Sequence, residues 1–264
     1  LIRSEGVIRL ICFAGVFLVI ATWELAAPRR RLNASKSRRW LANLALVAIN
    51  SAVARFLLPV LPVSMAIMME AKGWGILNNF SLPGWVKVLA ALVILDLVIY
   101  LQHLFFHYQP LLWRLHRMHH TDLDIDVTTG NRFHPLEIII SMLIKLSTVA
   151  MIGAPAASVV IFEIILNAAS QFNHGNIKIP LQFDRWLRFI LVTPDMHRVH
   201  HSVIPSETNS NYGFNIPLWD RLFGTYRDQP QDGHLGMTIG LKEFREMSEL
   251  GLFRLLLQPF RRLG

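Results

Sequence analysis

Cysteine is almost missing from this chain. Cys12 is the one such residue among 264, which excludes an internal disulfide framework and an iron–sulfur cluster, since that needs several thiolates. Cys12 lies in an apolar run and reads as a small core or lipid-facing side chain. Charge is scarce too: Asp, Glu, Lys and Arg make up 17% of the residues, against about 25% in soluble domains. With 53% hydrophobic residues and a mean hydropathy of +0.39, the composition is that of a membrane protein. The net charge of +8 does not point to nucleic acid. Six of the cations, Arg29, Arg30, Arg31, Lys36, Arg38 and Arg39, sit between two apolar segments, where a basic loop marks the cytoplasmic side of a span. The HExxH motif of zinc peptidases is absent. Asp122, Asp124 and Asp126 alternate without the glycine and glutamate of a calcium loop.

The apolar runs predict an all-α integral membrane bundle. Residues 7–27 are long enough to cross about 30 Å of hydrocarbon and too long for a signal-peptide core. Residues 41–69 form a second run, kinked or broken by Pro59 and Pro62. Residues 85–107 are the third. Residues 137–153 and 156–172 make a helical hairpin about Gly153–Ala154–Pro155, crossing fully or in part. Residues 175–264 are expected in the cytoplasm, and the last stretch, LKEFREMSELGLFRLLLQPFRR, as an amphipathic segment on the membrane surface. The expected division is 1–84 for the first spans and basic loop, 85–228 for the catalytic part, and 229–264 for the tail. Counting spans from the basic loop puts every histidine cluster on the cytoplasmic side, as for a bacterial inner-membrane protein.

Histidine is what the chain has in quantity. His103 and His107 are four apart, His116, His119 and His120 form HxxHH, and His197, His200 and His201 repeat it. On a helix such spacings put imidazoles on one face, and imidazole suits Zn, Cu, Fe and Ni. With His174 the strong metal-ligand candidates number nine. Four would close one tetrahedral zinc site, so nine fit two ions. His134, before Pro135 at a helix start, is either a tenth ligand or a partner to one. Asp96 and Tyr100 share a helix face with His103 and His107, and Glu163 and Asn167 share one with His174. These groups are candidates to hold imidazole N–H groups, the plain alternative for Asp96 being a pair with Arg55. Asp195 follows Pro194 at a helix start, where capping weighs at least as much as a role at the site. His234 reads as a solvated loop residue, and Met65, Met68 and Met69 as apolar packing. A zinc hydrolase, a structural metal protein and a metal transporter stay open at this point.

The motifs HLFFH, HRMHH, RFHPLE, FNHGN, MHRVHH and NYGFNIPLWDRLFGTYR, in that order, resemble the fatty acid hydroxylase and sterol desaturase superfamily, over about residues 85–228. The RFHPLE element is most similar to the alkylglycerol monooxygenase branch. The resemblance implies a histidine-rich di-iron oxygenase that uses O2 to hydroxylate or desaturate a fatty acyl, sterol or ether lipid. It implies His103, His107, His116, His119, His120, His174, His197, His200 and His201 as ligands of two irons, with zinc as a possible substitute. Two positions depart from the pattern: Leu104 stands where arginine is common, and Gln171 where another histidine is common. No room is expected for a fused cytochrome b5 domain, so electrons would come from a separate donor such as cytochrome b5 or a ferredoxin.

Overall fold

A computed structural model describes residues 4–262. Helix α1 (Glu5–Ala26) and helix α2 (Lys36–Leu57) flank the basic loop, so α2 begins inside the basic segment. The second apolar run is broken as the prolines require. Helix α2 stops before Pro59, and α3 (Pro62–Lys72) starts with Pro62 in its first turn. Helix α4 (Gly84–Tyr108) and α5 (Pro110–His120) are separated at Gln109–Pro110. Helices α6 (Pro135–Ile152) and α7 (Ala156–Asn173) form the expected hairpin. At 18 residues each they reach about 27 Å, close to a full crossing. Among the described residues there are no strands, only isolated bridges between Pro28 and Ile177 and between Ser202 and Ile239.

Five helical segments are long and apolar enough to cross a membrane, the α2–α3 stretch counted as one. Helices α3, α4, α6 and α7 share a core of Ala66, Ala91, Leu95, Val149, Val159 and Val160. Small residues in that core let the backbones come close. The closest approach closes the far end of the bundle. Gly75 has φ +101, and a Cβ there would lie 2.2 Å from the Gly153 nitrogen, so neither turn tolerates a larger residue. Lipid-facing side chains such as Leu10, Ile11, Leu18, Phe56 and Leu89 remain exposed. The protein is a multi-pass membrane protein.

The other end gathers the C-termini of α1, α4 and α7 and the N-termini of α2 and α6. Glu24 at the end of α1 accepts from the Val127 and Asn176 backbone N–H groups, tying two distant loops together. Helices α8 (Leu181–Leu187) and α9 (Pro194–His200) lie here too. Beside Arg185, the side chains of Phe183, Trp186, Phe189 and Ile190 are exposed. Aromatic and cationic groups in this mixture are of the kind that suits a headgroup boundary.

The tail folds as short turns around Leu252–Leu257, divided by Gly251 and Pro259. Its Leu255 packs on Ala42, Leu46 and Met118, and Arg117 donates to the Gln258 and Arg261 carbonyls. Arg39, counted with the basic loop, is fully buried and bonds Asp122 and Asp126 at 2.6 Å each. His234 is buried rather than solvated, with its Nε2 3.6 Å from Asp195.

Candidate metal centre

The nine histidines fall into two adjacent groups. His103, His107, His116, His120 and His200 form one; His119, His174, His197 and His201 form the other. Within each group the candidate donor atoms all lie within 4.8 Å of one another. Both HxxHH motifs straddle the groups. His116 and His120, one turn apart on α5, go to the five-membered group while His119 crosses to the other. His197 and His201 go to the four-membered group while His200 crosses back. The groups touch where His120 stacks on His201 at 4.6 Å.

The acceptors around the rings decide their tautomers. His103 Nδ1–H donates to the Tyr212 carbonyl at 2.8 Å, His200 to the Ser210 carbonyl at 2.7 Å and His174 to the Ser170 carbonyl at 2.7 Å. His119 donates to the Arg132 carbonyl at 3.3 Å, and His116 to Glu137 Oε1 at 2.7 Å. His107 Nδ1 meets Asn209 Oδ1 at 3.2 Å. A carbonyl only accepts, so the opposite nitrogen, Nε2, carries a bare lone pair in a neutral ring. Burial also pushes His119, His120, His197, His200 and His201 well below the usual imidazole range, which keeps them neutral.

These bare nitrogens face each other. His103 Nε2 is 3.1 Å from both His116 Nε2 and His200 Nε2, and His174 Nε2 is 3.1 Å from His119 Nε2. Two lone pairs at that distance repel unless a cation lies between them. An ion about 2.1 Å from each nitrogen puts neighbouring ligands ~3.0 Å apart in octahedral and ~3.4 Å apart in tetrahedral coordination, so the spacing fits. His197 Nε2 and His201 Nε2 also lie 3.1 and 3.2 Å from His174 Nε2, and His107 Nε2 and the His120 ring nitrogens have no protein partner. Gln171, one turn before His174, is fully buried with neither side-chain polar atom bonded. The residues present fit a metal pair.

The other predicted side chains are elsewhere. His134 belongs to neither group. It caps α6, with Nδ1 accepting from the Leu136 N–H and Nε2–H donating to the Leu256 carbonyl. Asp96 reaches no imidazole and no arginine; it accepts from Asn215 at 2.6 Å and Trp219 at 2.7 Å. Tyr100 bonds Thr225 at 2.8 Å. Glu163 pairs with Lys145 and Arg9 at 3.0 Å each, and Asn167 donates to the Glu163 carbonyl. Asp195 pairs with Arg29 and Arg198. A shared helix face was too weak a guide, because each carboxylate has a nearer cation or amide on a neighbouring element.

Sequence reasoning missed the groups that hold the rings. Glu137 lies three residues after His134 in a motif already noted, and was legible as an acidic group in a first helical turn. Main-chain carbonyls carry no side-chain signature. Also missed was the Asp122–Asp126 network, in which Arg39, Thr129 and Arg132 join α2 to the loop after the first HxxHH motif. Burial alone would push the Asp122 carboxyl up, but Arg39 and Arg132 hold it down at about 2.

His107 is the only partly exposed member of the five-histidine group. A groove of about 740 Å3 runs along another face of α4, lined by Leu101, Leu104, Phe105, Tyr108, Ile144 and Phe223 among others. Phe133 stacks on His119 at 4.7 Å.

The family model described as fatty acid hydroxylase matches residues 88–225. Ornithine lipid hydroxylase OlsE of Rhizobium tropici is 29% identical over 181 residues, covering 67% of this chain and 51% of that protein. Alkylglycerol monooxygenase of Danio rerio is 31% identical over 175 residues, 65% of this chain and 38% of the relative. Methylsterol monooxygenase 2-2 of Arabidopsis thaliana is 24% identical over 169 residues, 62% of this chain and 63% of the relative. The chain thus spans about half the length of the first of these and less of the second. No solved structure matches. On the family match and the paired histidine groups, this chain belongs to the fatty acid hydroxylase family.

Proposed function

We propose that the chain is a membrane-bound di-iron oxygenase that hydroxylates, or desaturates, a lipid with O2 and external electrons. The observation that carries this reading is the set of bare Nε2 lone pairs turned on one another in two adjacent groups. His103, His107, His116, His120 and His200 would hold one ion, and His119, His174, His197 and His201 the other, with Gln171 as the fifth donor there. Zinc can take the place of iron in such a ligand set. We assign this chemistry to residues 85–228, with 1–84 as supporting spans and 229–264 as a docked tail.

When bound, iron supplies the reduction of O2 and the attack on an unactivated C–H bond. Hydroxylation converts C–H to C–OH and the second oxygen atom leaves as water, with two electrons and two protons arriving from outside. The chain's own work is positional. Carbonyl acceptors and Glu137 hold the imidazoles in one tautomer. Phe133, Trp113 and the buried walls limit water. The groove beside α4 would take the lipid chain from the bilayer.

Relatives named for ornithine lipid and alkylglycerol chemistry favour an acyl or ether lipid over a sterol. Exposed Arg31 and Arg38 lie at the same end as the histidines, which supports a cytoplasmic site in a bacterial inner membrane and a separate donor such as cytochrome b5 or a ferredoxin. A transporter would hold its ligands near the bilayer midplane, and these lie at helix ends.

Anaerobic loading with Fe2+ tests the reading. Wild type should bind about two irons and convert a lipid extract to hydroxylated or desaturated products only with O2 and reductant. His119→Ala and His200→Ala should each bind about one, since they interrupt different groups. Full activity in the double variant, or turnover without O2, would sink the assignment.

A further inference from the structure

The segment Thr208 to Gly213 is a strap across the five-histidine group. Asn209 meets His107, the Ser210 carbonyl accepts from His200, and the Tyr212 carbonyl accepts from His103. The strap is itself pinned. Asp220 accepts from the Tyr212 and Gly213 backbone N–H groups at 2.8 Å each, and from the Thr225 hydroxyl at 2.7 Å. Asn211 bonds the Met196 and Arg227 carbonyls, and the Ser210 hydroxyl bonds the Glu207 carbonyl. A Cβ at position 213 would lie 2.6 Å from Asp220, so glycine is required for this approach.

One polar side-chain group in the strap is left over. The Tyr212 hydroxyl is buried with no partner, on a residue that is 0% exposed. A buried phenol usually finds an acceptor, because leaving it unpaired costs free energy. The Tyr212 ring lies against three of the five histidines, with centroids 5.1 Å from His107, 5.5 Å from His200 and 5.6 Å from His103. It also packs edge-on against Tyr100, with ring centroids 6.4 Å apart, in a cluster that Leu104 flanks. Leu104 lines the groove, and so does Thr225, which bonds the Tyr100 hydroxyl. Tyr212 therefore touches both the histidines and Tyr100, whose ring stacks at 5.5 Å on Phe223 in the groove wall.

We infer that the Tyr212 hydroxyl donates a hydrogen bond to an oxygen atom, or a small anion in its place, held between the five-histidine group and the groove. That acceptor has two sources: a ligand on the metal, or an ether or carbonyl oxygen of the lipid beside the carbon attacked. The inference rests on the metal-site reading, since it gives the strap's rings their purpose.

Tyr212→Phe removes the hydroxyl alone. In Co2+-loaded protein without lipid, azide titration read in the visible spectrum reports the metal source. In Zn2+-loaded protein, the affinity for 1-O-hexadecylglycerol relative to hexadecane, read by tryptophan fluorescence, reports the lipid source. One of the two should fall roughly ten- to a hundredfold, as for a lost hydrogen bond to a charged or buried acceptor, with metal content unchanged. Tyr226→Phe, whose hydroxyl bonds Asp228 at 3.1 Å away from the site, should match wild type in both. Equal values for Tyr212→Phe and Tyr226→Phe overturn the inference. If Tyr212→Phe loses its metals, infrared difference spectra of ring-13C-tyrosine wild type on adding azide or the ether lipid decide. A shifted tyrosine C–O band supports the donor, and an unmoved one overturns it. A wild type that binds no metal pair would sink the proposed function instead, leaving Tyr212 to be judged on the lipid arm run without Zn2+.

Discussion

Asp122→Asn tests the network beneath the first HxxHH motif. Asp122 and Arg39 are both fully buried and joined by two bonds, 2.6 Å from Nε and 2.9 Å from Nη2. The carboxyl is held at about 2 against an ordinary 3.8, a difference worth about 2 kcal/mol. Because the folded value is depressed, this stability is complete above about pH 4, falls as the pH drops through the folded value, and is gone below both. The amide also leaves Arg39 short of one counter-charge in the interior, which costs about 3–5 kcal/mol. At neutral pH the variant should melt roughly 10 °C lower, at a few degrees per kcal/mol. Thermal unfolding in nanodiscs, followed by circular dichroism from pH 7 to pH 2, reads both effects. Wild type should lose stability below pH 4 more steeply than the variant. A variant that melts within 1–2 °C of wild type and keeps the same acid slope would refute the reasoning.

Glu137→Gln keeps the shape but weakens the acceptor of His116 Nδ1–H, so metal affinity at the five-histidine group should drop about 10- to 100-fold by chelator competition. His134→Ala should keep full metal content and lose about 1 kcal/mol from the α6 cap, seen as a lower melting temperature with an unchanged metal assay. Gly75→Ala combines a positive φ with a 2.2 Å clash against Gly153. It should destabilise by about 3 kcal/mol or more, measured as loss of folded protein in detergent, while Gly84→Ala, with open space around it, should be neutral by the same assay.

Much of this protein is local in origin and was therefore legible from the chain alone. Length and apolarity of the runs predict the spanning helices, and Pro59 and Pro62 predict the break between α2 and α3. The spacing of HxxxH and HxxHH predicts rows of imidazoles, because three- and four-residue steps return to one helix face. The order of the motifs carries the family resemblance. What packing alone decided concerns partners far apart in sequence. Periodicity assigns both HxxHH motifs to helix faces but says nothing of how each splits between two groups, with His119 and His200 crossing over. The acceptors of the imidazole N–H groups are mostly main-chain carbonyls, and every residue has one. Arg39 looked like a solvated charge until α2 met the Asp122–Asp126 loop 83 positions away. A charge or a lone pair needs a partner in space, and only the folded arrangement of helix ends supplies it.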